Sequence, residues 1–155
     1  MADRIMVDTN ILLYAYDRGE PTKQQQALAV LDRLVVLGLG VLTSQVLAEF
    51  FVNATKRLQP PLTIKEAHDR IQNYLLSWKI LDITGPVLLE AVRGVRTYQM
   101  AYWDAQIWAS ARMNQIPLVL SEDFGEGAII EGVRFINPFG RNFNIEAWLS
   151  PPTTT

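Results

Sequence analysis

Short β-prone apolar runs alternate along the chain with longer segments of helical periodicity, and this alternation constrains the fold more than any other feature. The runs are IMV at 5–7, VLT at 41–43, KILDI at 79–83, PLVL at 117–120 and VRFI at 133–136. Parallel strands require long crossover connections, which are usually helical and pack on both faces of the sheet. The sequence therefore predicts an α/β protein, a three-layer α/β/α sandwich with a central parallel sheet of about five short strands.

The helical segments are predicted from apolar periodicity and from residues that cap helix ends. They cover about 9–17, 22–37, 44–57 and 63–77, with one more beginning at Thr84 and a last one beginning near Tyr102. Thr63 and Glu66 have the T-x-x-E spacing of a capping box. Ser44 and Thr84 are predicted to be N-caps.

A chain of 155 residues with 49% hydrophobic content is the size of one domain with a sizeable core. We expect residues 1–150 to form that domain and PPTTT at 151–155 to be a flexible tail. The N-terminus does not resemble a signal peptide, and the longest apolar stretch, at 34–42, is too short to span a bilayer. The expected location is cytoplasmic, without membrane association.

The residue types present limit the chemistry of any metal site. There is no cysteine, which excludes disulfides and thiolate ligands, and His68 is the single histidine. A metal ion must therefore be held by oxygen. The formal net charge of −2 argues against broad electrostatic binding to duplex nucleic acid, although it leaves room for a local basic rim.

Asp104 stands in the aromatic stretch YQMAYWDAQIWASA at 98–111. On a helical wheel it lies within about 60° of Ile107, Trp108 and Ala111, and thus on the apolar stripe. A helix N-terminus favours an acidic residue along its axis, but this explains less well a carboxylate on the buried face. A buried ionised carboxylate is unfavourable unless a cation, a set of donors or a raised pKa compensates it.

Three further carboxylates stand where a parallel sheet would bring them near Asp104. Asp8 directly follows the first strand, Asp123 follows LVLSE, and Glu49 lies in the helix after the second strand. Each has an ordinary structural explanation: a helix N-cap for Asp8, a turn residue for Asp123, and a solvated position for Glu49 about 120° from the centre of its apolar stripe.

Ligands of open α/β sheets bind beyond the carboxyl ends of the strands, where the strand order reverses. Convergence of the four carboxylates at that edge would need compensation, because two carboxylates about 5 Å apart repel by roughly 3 kcal/mol at an effective dielectric constant near 20. A divalent cation is the natural compensation. Oxygen ligands favour Mg²⁺ or Mn²⁺, and Mg²⁺ favours a phosphate-bearing substrate.

Four segments, IMVDTNILLYAYD, TSQVLAEFFV, YWDAQIWASA and LVLSEDF, resemble in order and spacing the four motif segments of the PIN-domain ribonucleases. The resemblance covers nearly the whole chain, and its compact length is similar to that of the VapC-type toxins of bacterial toxin–antitoxin pairs. Each segment is short and weakly specific alone, whereas the ordered set is more specific.

The resemblance implies that an acidic metal site holds Mg²⁺ or Mn²⁺ and that the domain at 1–150 is a PIN-like nuclease. The residues that match the family's acidic positions are Asp8, Glu49, Asp104 and Asp123. Ser121 matches a hydroxyl that supports the last acid, and Asn10 matches a frequent polar neighbour. Glu122 is an additional acid, which we expect to face solvent. We expect ordinary structural or surface roles for His68, Asp17 and Asp82.

The implied activity is metal-dependent hydrolysis of RNA phosphodiester bonds that leaves 5′-phosphate and 3′-hydroxyl ends. The implied assembly is a homodimer inhibited by a small antitoxin protein lying in an apolar groove. Two sets of residues are candidates for contacts with RNA and with an antitoxin, although each set also has a strong ordinary structural explanation. Cations that could contact RNA, or be solvated, are Lys56, Arg57, Arg93, Arg96 and Arg112. Aromatic residues that could line the groove, or belong to the core, are Tyr14, Tyr16, Phe50 and Phe51.

Three alternatives remain open at this point. A receiver-like phosphoacceptor domain would need paired acids after the first strand and a lysine near the last strands, and SEDFGEG offers none. A non-catalytic PIN-like binding module would share the fold without the chemistry. An RNA-processing nuclease without an antitoxin would share both the fold and the chemistry.

Overall fold

The structure, a computed structural model, describes residues 3–125 and 127–149. The strands are β1 (Ile5–Val7), β2 (Gly40–Thr43), β3 (Lys79–Leu81), β4 (Leu118–Leu120), β5 (Ile129–Ile130) and β6 (Val133–Ile136). The helices are α1 (Thr9–Tyr14), α2 (Pro21–Leu37), α3 (Ser44–Ala54), α4 (Ile64–Ser77), α5 (Gly85–Tyr98) and α6 (Tyr102–Met113), followed by a 3₁₀ turn at Ile145–Trp148. The tail predicted at 151–155 lies outside the described residues.

The six strands form one sheet in the order β3-β2-β1-β4-β6-β5, flanked by helices as an α/β/α sandwich. Five of them are parallel, as the sequence predicts. The sixth, β5, was not predicted and pairs antiparallel with β6 through a turn in which Gly132 has φ +85°. A strand of two residues is too short to show the alternating apolar pattern of a β-strand in the sequence. Only its pairing with β6 identifies it as a strand.

The strand order reverses between β1 and β4, which lie side by side at the centre of the sheet. The chain leaves β1 toward β2 and β3 on one side, and leaves β4 toward β6 and β5 on the other. The Asp8 backbone N–H donates to the Leu120 carbonyl at 2.9 Å, so the carboxyl ends of the two strands are joined. Ligand sites of α/β sheets lie at such a reversal.

The core is built from both faces of the sheet. All three residues of β1 are fully buried, as expected for a strand covered by helices on both sides. Phe50 of α3 and Trp108 of α6 are the largest fully buried side chains. Both follow the helical periodicity read from the sequence.

Several helix ends form as predicted. Thr63 and Glu66 form the reciprocal hydrogen bonds of a capping box, and Thr84 Oγ1 accepts from the backbone N–H of Val87 at 3.4 Å. Three predictions were wrong. Helices α1 and α3 end at Tyr14 and Ala54, each about three residues early, and a turn follows each of them.

The predicted N-cap at Ser44 was also wrong. Thr43 caps α3 through its hydroxyl, which accepts from the Val46 N–H at 3.1 Å. Ser44 is the first helical residue, and its Oγ accepts from the Ile83 N–H at 3.2 Å, which fastens the segment after β3 to the start of α3. Adjacent hydroxyl residues compete for a cap, and the extended backbone of Thr43 decides it.

Within the described residues, no helix is both long enough and apolar enough to cross a lipid bilayer.

We predict that Gly40→Ala lowers the free energy of unfolding by about 1–3 kcal/mol, because overpacked cores are destabilised by this amount. A Cβ at Gly40 would lie 2.2 Å from the Trp78 ring, whereas a Cβ at Gly85 would meet nothing within 4 Å. Gly85→Ala, at the start of α5, is therefore the matched control and should be neutral or slightly stabilising. Urea unfolding followed by circular dichroism measures both. Equal midpoints for the two variants would contradict this packing.

Candidate functional site

Asp8 lies at the junction of β1 and α1, with only 5% of its surface exposed. Its Oδ1 accepts from the backbone N–H of Thr9 at 2.7 Å, and its Oδ2 accepts from the Ser121 hydroxyl at 2.7 Å. Asp8 is thus the N-cap of α1 and is also bound to the loop after β4. The ordinary capping explanation and the location expected for a site residue are both satisfied.

Burial raises the pKa of Asp8 to about 6, which means that the ionised form is unfavourable in the folded protein. The two hydrogen bonds that it accepts oppose this effect only in part. The negative charges of Asp104 and Glu49 raise the pKa of Asp8 further, by less than burial does.

Glu49 is half-buried and accepts hydrogen bonds at both carboxylate oxygens. The Thr9 hydroxyl donates to Oε2 at 2.7 Å, and the Gln45 amide donates to Oε1 at 3.0 Å. The alternative explanation, a simply solvated Glu49, does not hold, because a helical wheel of α3 does not include the neighbouring α1, which packs against α3 and supplies the Thr9 hydroxyl.

Asp104 occupies the first turn of α6 and is half-buried. Its neighbours on the predicted apolar stripe, Ile107 and Trp108, are buried, so the wheel places the stripe correctly while Asp104 lies at its partly open end. Burial raises the pKa of Asp104, and the charges of Asp123 and Glu49 raise it further.

The loop after β4 carries the fourth carboxylate. Asp123 is exposed, and its Oδ2 accepts from the Asn10 amide at 3.0 Å. The Asn10 Oδ1 accepts from the Glu122 N–H at 3.4 Å, and the Ser121 Oγ accepts from the Asp123 N–H at 3.3 Å. Asn10 and Ser121 therefore fasten this loop to the start of α1 and fix where Asp123 lies.

A relay of neutral side chains holds Glu49 from the other side, and sequence reasoning missed it. The Tyr102 hydroxyl donates to Gln106 Oε1 at 2.9 Å, and Gln106 Nε2 donates to Gln45 Oε1 at 2.8 Å. Gln45 in turn donates to Glu49. Gln106 and Gln45 are 4% and 7% exposed, and a buried amide within an apolar helix is the one signal that could have identified them.

Glu122 does not simply face solvent, so that expectation was wrong. It forms an ion pair with Lys23 at 2.6 Å and accepts from the Tyr14 hydroxyl at 2.9 Å. Lys23, on α2, also lies 4.7 Å from the centre of the Tyr14 ring. The ion pair joins Lys23, which sequence reasoning missed, to the residue that precedes Asp123 in the loop after β4.

Two of the candidate RNA-contacting cations lie away from this site. Arg93 and Arg112 form ion pairs with Glu90 and Glu131. Arg112 is in the last turn of α6, about 12 Å along the helix axis from Asp104 in the first. The other three, Lys56, Arg57 and Arg96, are exposed.

A family model for the PIN domain matches residues 5–125 of the sequence. The chain belongs to the PIN domain family. The match begins at the first residue of β1 and ends just after Asp123, so it contains all four carboxylates. No matching protein was found among curated sequences.

Solved structures with the same fold support this assignment. A toxin–antitoxin complex from Klebsiella pneumoniae matches with a TM-score of 0.64 and 20% identity, over 86% of this chain and 97% of that one. VapC20 of Mycobacterium tuberculosis, a toxin that cleaves the sarcin–ricin loop, matches with a TM-score of 0.58 and 18% identity, over 84% and 98%. DNA-bound VapBC from Salmonella typhimurium matches with a TM-score of 0.62 and 16% identity, over 87% and 98%. At these identities the likeness concerns the fold.

The acidic residues of this PIN domain suit a hard divalent cation in chemical type. In the part of the chain that the structure describes, no lysine, arginine or histidine forms an ion pair with Asp8, Glu49, Asp104 or Asp123. Across residues 3–125 and 127–149, no three acidic or histidine side chains lie close enough to hold one ion between them. Binding of one ion by three of these carboxylates would therefore require side-chain rotation.

We predict that Asp8→Asn stabilises the metal-free protein at neutral pH. A folded-state pKa of about 6 against 3.8 for a free aspartate means that ionised Asp8 costs up to about 3 kcal/mol above pH 6. This cost disappears below about pH 4, where Asp8 is protonated in the folded and unfolded states alike. Thermal unfolding in EDTA at pH 4 and pH 7.5 should show the advantage of the variant only at the higher pH. An equal gain in stability of the variant at both pH values would refute the assignment of this gain to the charge of Asp8.

We predict that Gln106→Leu lowers the free energy of unfolding by about 1–3 kcal/mol, because the buried Oε1 of Gln45 loses its donor. The control is Gln72→Leu, at an exposed position of α4. Chemical denaturation of both variants measures the difference. The relay would be unnecessary for stability if the two variants unfolded at the same urea concentration.

Proposed function

We propose that this PIN domain is an endoribonuclease that requires Mg²⁺ or Mn²⁺ and acts as the toxin of a type II toxin–antitoxin pair. The observation that carries the proposal is the group of Asp8, Glu49, Asp104 and Asp123 at the β1–β4 edge, whose negative charges repel one another and which have no cationic partner within residues 3–125 and 127–149. Such an arrangement is electrostatically unfavourable in the free protein. Its persistence is understandable if a cation and a phosphate occupy the edge during function.

A bound divalent ion would lower the pKa of a water molecule and stabilise negative charge on the scissile phosphate. The residues of the chain itself hold the carboxylates in place. Ser121 and the Thr9 N–H orient Asp8, while Thr9 and Gln45 orient Glu49. Because these donors are neutral, the carboxylates keep their full charge for the ion.

Lys23 forms an ion pair with Glu122, the residue that precedes Asp123 in the loop after β4. It is half-exposed, and its hydrogen bond to Glu122 raises its pKa. We infer that it contacts the RNA backbone beside the acidic group, together with the exposed Lys56 and Arg57 at the end of α3. A protein of net charge −2 needs such local contacts to hold RNA.

The partners follow from the fold neighbours and are part of this proposal. One neighbour cleaves the sarcin–ricin loop, and others are complexes with antitoxins, including VapBC2 of Rickettsia felis bound to promoter DNA. We propose a homodimer bound by a small antitoxin. Of the aromatic residues considered for an antitoxin groove, Phe50 is fully buried and belongs to the core, whereas Tyr14, Tyr16 and Phe51 are partly exposed.

A second candidate function is a binding module without catalysis. It is favoured by the finding that, among the described residues, no three acidic side chains are gathered closely enough for an ion. Titration with Mn²⁺ separates the two candidates. Calorimetric binding of Mn²⁺ that Asp104→Asn abolishes supports the nuclease, and absence of binding by the parent protein supports the module.

We predict that the protein, stripped of metal and repurified, cleaves single-stranded and stem-loop RNA only when Mg²⁺ or Mn²⁺ is added, leaving 5′-phosphate ends. Asp8→Asn and Asp123→Asn should each slow cleavage at least about 100-fold, equivalent to about 2.7 kcal/mol of transition-state stabilisation. Asp69→Asn, an acid on α4 outside the group, is the control and should retain the parental rate. Gel analysis of end-labelled RNA measures all four proteins.

Parental cleavage rates in Asp8→Asn and Asp123→Asn would show that these carboxylates take no part in the reaction.

Growth arrest on expression, relieved by co-expression of a neighbouring antitoxin gene, distinguishes a toxin from an RNA-processing nuclease. Relief of the growth arrest by an inactive product of the neighbouring gene would favour the processing role. The same conclusion would follow if a protein that cleaves RNA in vitro caused no growth arrest.

A further inference from the structure

A groove of about 500 Å³ lies between α3 and α6, directly beside the acidic group. Glu49 belongs both to the groove and to the group of four carboxylates, so the two are continuous. The apolar wall contains Ala48, Val52, Ile83 and the Trp103 side chain. Glu49 is the single charged residue among its lining residues.

Trp103 is the feature of the groove that most needs an explanation. Its indole is 61% exposed although Trp108, five residues later on α6, is completely buried. Its backbone is well held, because its carbonyl accepts from the Gln45 amide at 3.2 Å, and the Tyr102 ring packs edge-on against the indole at 5.1 Å. A fixed, exposed aromatic surface next to Asp104 suits a flat ligand that stacks on it.

The polar atoms of the groove are few and specific. Asn53 donates through Nδ2 to the Glu49 carbonyl at 2.8 Å, while its Oδ1 accepts no hydrogen bond within the described part of the chain. The Gln106 amide donates to Gln45 Oε1 and accepts from the Tyr102 hydroxyl, and the Gln45 amide donates to Glu49, so both side chains are already engaged. A ligand with an apolar face and one donor on its edge matches this surface, and these are the properties of a nucleobase.

Charge favours a base over a phosphate as the occupant of the groove. A phosphate would meet the negative charges of Glu49 and Asp104. An uncharged base avoids that repulsion while its own phosphate lies at the mouth of the groove.

We propose that this groove is a nucleobase subsite in which one base of single-stranded RNA stacks on Trp103 and thereby places the adjoining phosphate at the carboxylates. This inference rests on the proposed nuclease function and adds the residue that selects an unpaired nucleotide. A base in a duplex is already stacked on both faces, so the subsite would favour loops and single strands.

The test compares Trp103→Leu, Trp103→Phe and the control Leu76→Ala, an exposed apolar residue on α4. The probes are a fluorescein-labelled six-nucleotide single-stranded RNA and the same RNAs in which each nucleotide in turn is abasic. Anisotropy in EDTA measures binding without cleavage, and KM and kcat are measured separately with Mn²⁺. Thermal unfolding checks that each variant folds.

We expect Trp103→Leu to weaken binding and raise KM by about 10- to 100-fold with a smaller change in kcat, the range typical of base–aromatic stacking. Trp103→Phe should restore most of the affinity, since it keeps an aromatic face. One abasic RNA should lose affinity for the parent but not for Trp103→Leu, the signature of a direct pair. The slope of log affinity against log salt should be the same in both proteins, because stacking releases no counterions.

Three results would overturn the subsite. An RNA affinity and a KM in Trp103→Leu equal to those of the parent would overturn it. If that variant also escaped inhibition by an antitoxin peptide, the groove would be the binding site of the peptide. An equal loss with every abasic RNA would show that Trp103 contacts no particular base. RNA binding that depends on Trp103, without any metal-dependent cleavage, would refute the nuclease function but retain the subsite. Cleavage that is abolished by Asp8→Asn but unaffected by Trp103→Leu would retain the nuclease function and refute the subsite.

Discussion

The structure depends on the junction between the carboxyl ends of β1 and β4, where a carboxylate is buried. The Asp8 N–H bonds to Leu120 and the Asp8 carboxylate bonds to Ser121, so one residue connects the sheet backbone, the start of α1 and the loop after β4. The connection carries an electrostatic penalty, because burial raises the pKa of Asp8 to about 6. The junction is therefore better understood as a place where stability is given up for a charged group.

Around this junction, neutral donors replace the cations that would ordinarily stabilise a group of carboxylates. Glu49 is held by a hydroxyl and an amide, and Asp123 by an amide. Lys23, which is bound to the loop after β4, pairs with Glu122. Hydrogen bonds from neutral groups orient a carboxylate without neutralising it, so the edge remains strongly negative. Under the proposed function this negative edge would attract a divalent ion, and an arginine in the same place would remove that attraction.

The amide relay from Tyr102 through Gln106 to Gln45 connects this edge with the groove that holds Trp103. Gln45 donates to both Glu49 and the Trp103 carbonyl, so a single side chain orients a carboxylate and fixes the backbone of the exposed indole. Rigid support of this kind favours a defined distance between a bound base and the reacting phosphate. The proposed subsite and the proposed metal site are in this sense parts of one surface.

The sequence by itself determined the fold class, the five parallel strands and most helix ends, because these follow from apolar periodicity and local hydrogen bonds within a few residues. It also predicted Asp8, Glu49, Asp104 and Asp123 as site residues, from their places after strands and in helices and from the resemblance to the family's ordered segments, and their role stays a prediction. Only the tertiary structure decided what surrounds them. The antiparallel β5, the pairing of Glu122 with Lys23, the bond from Thr9 to Glu49 and the relay through Gln106 each join residues at least three positions apart, and most of them tens of residues apart. Such contacts leave no periodic trace in the sequence, since they depend on how whole helices pack and not on the local preference of any residue.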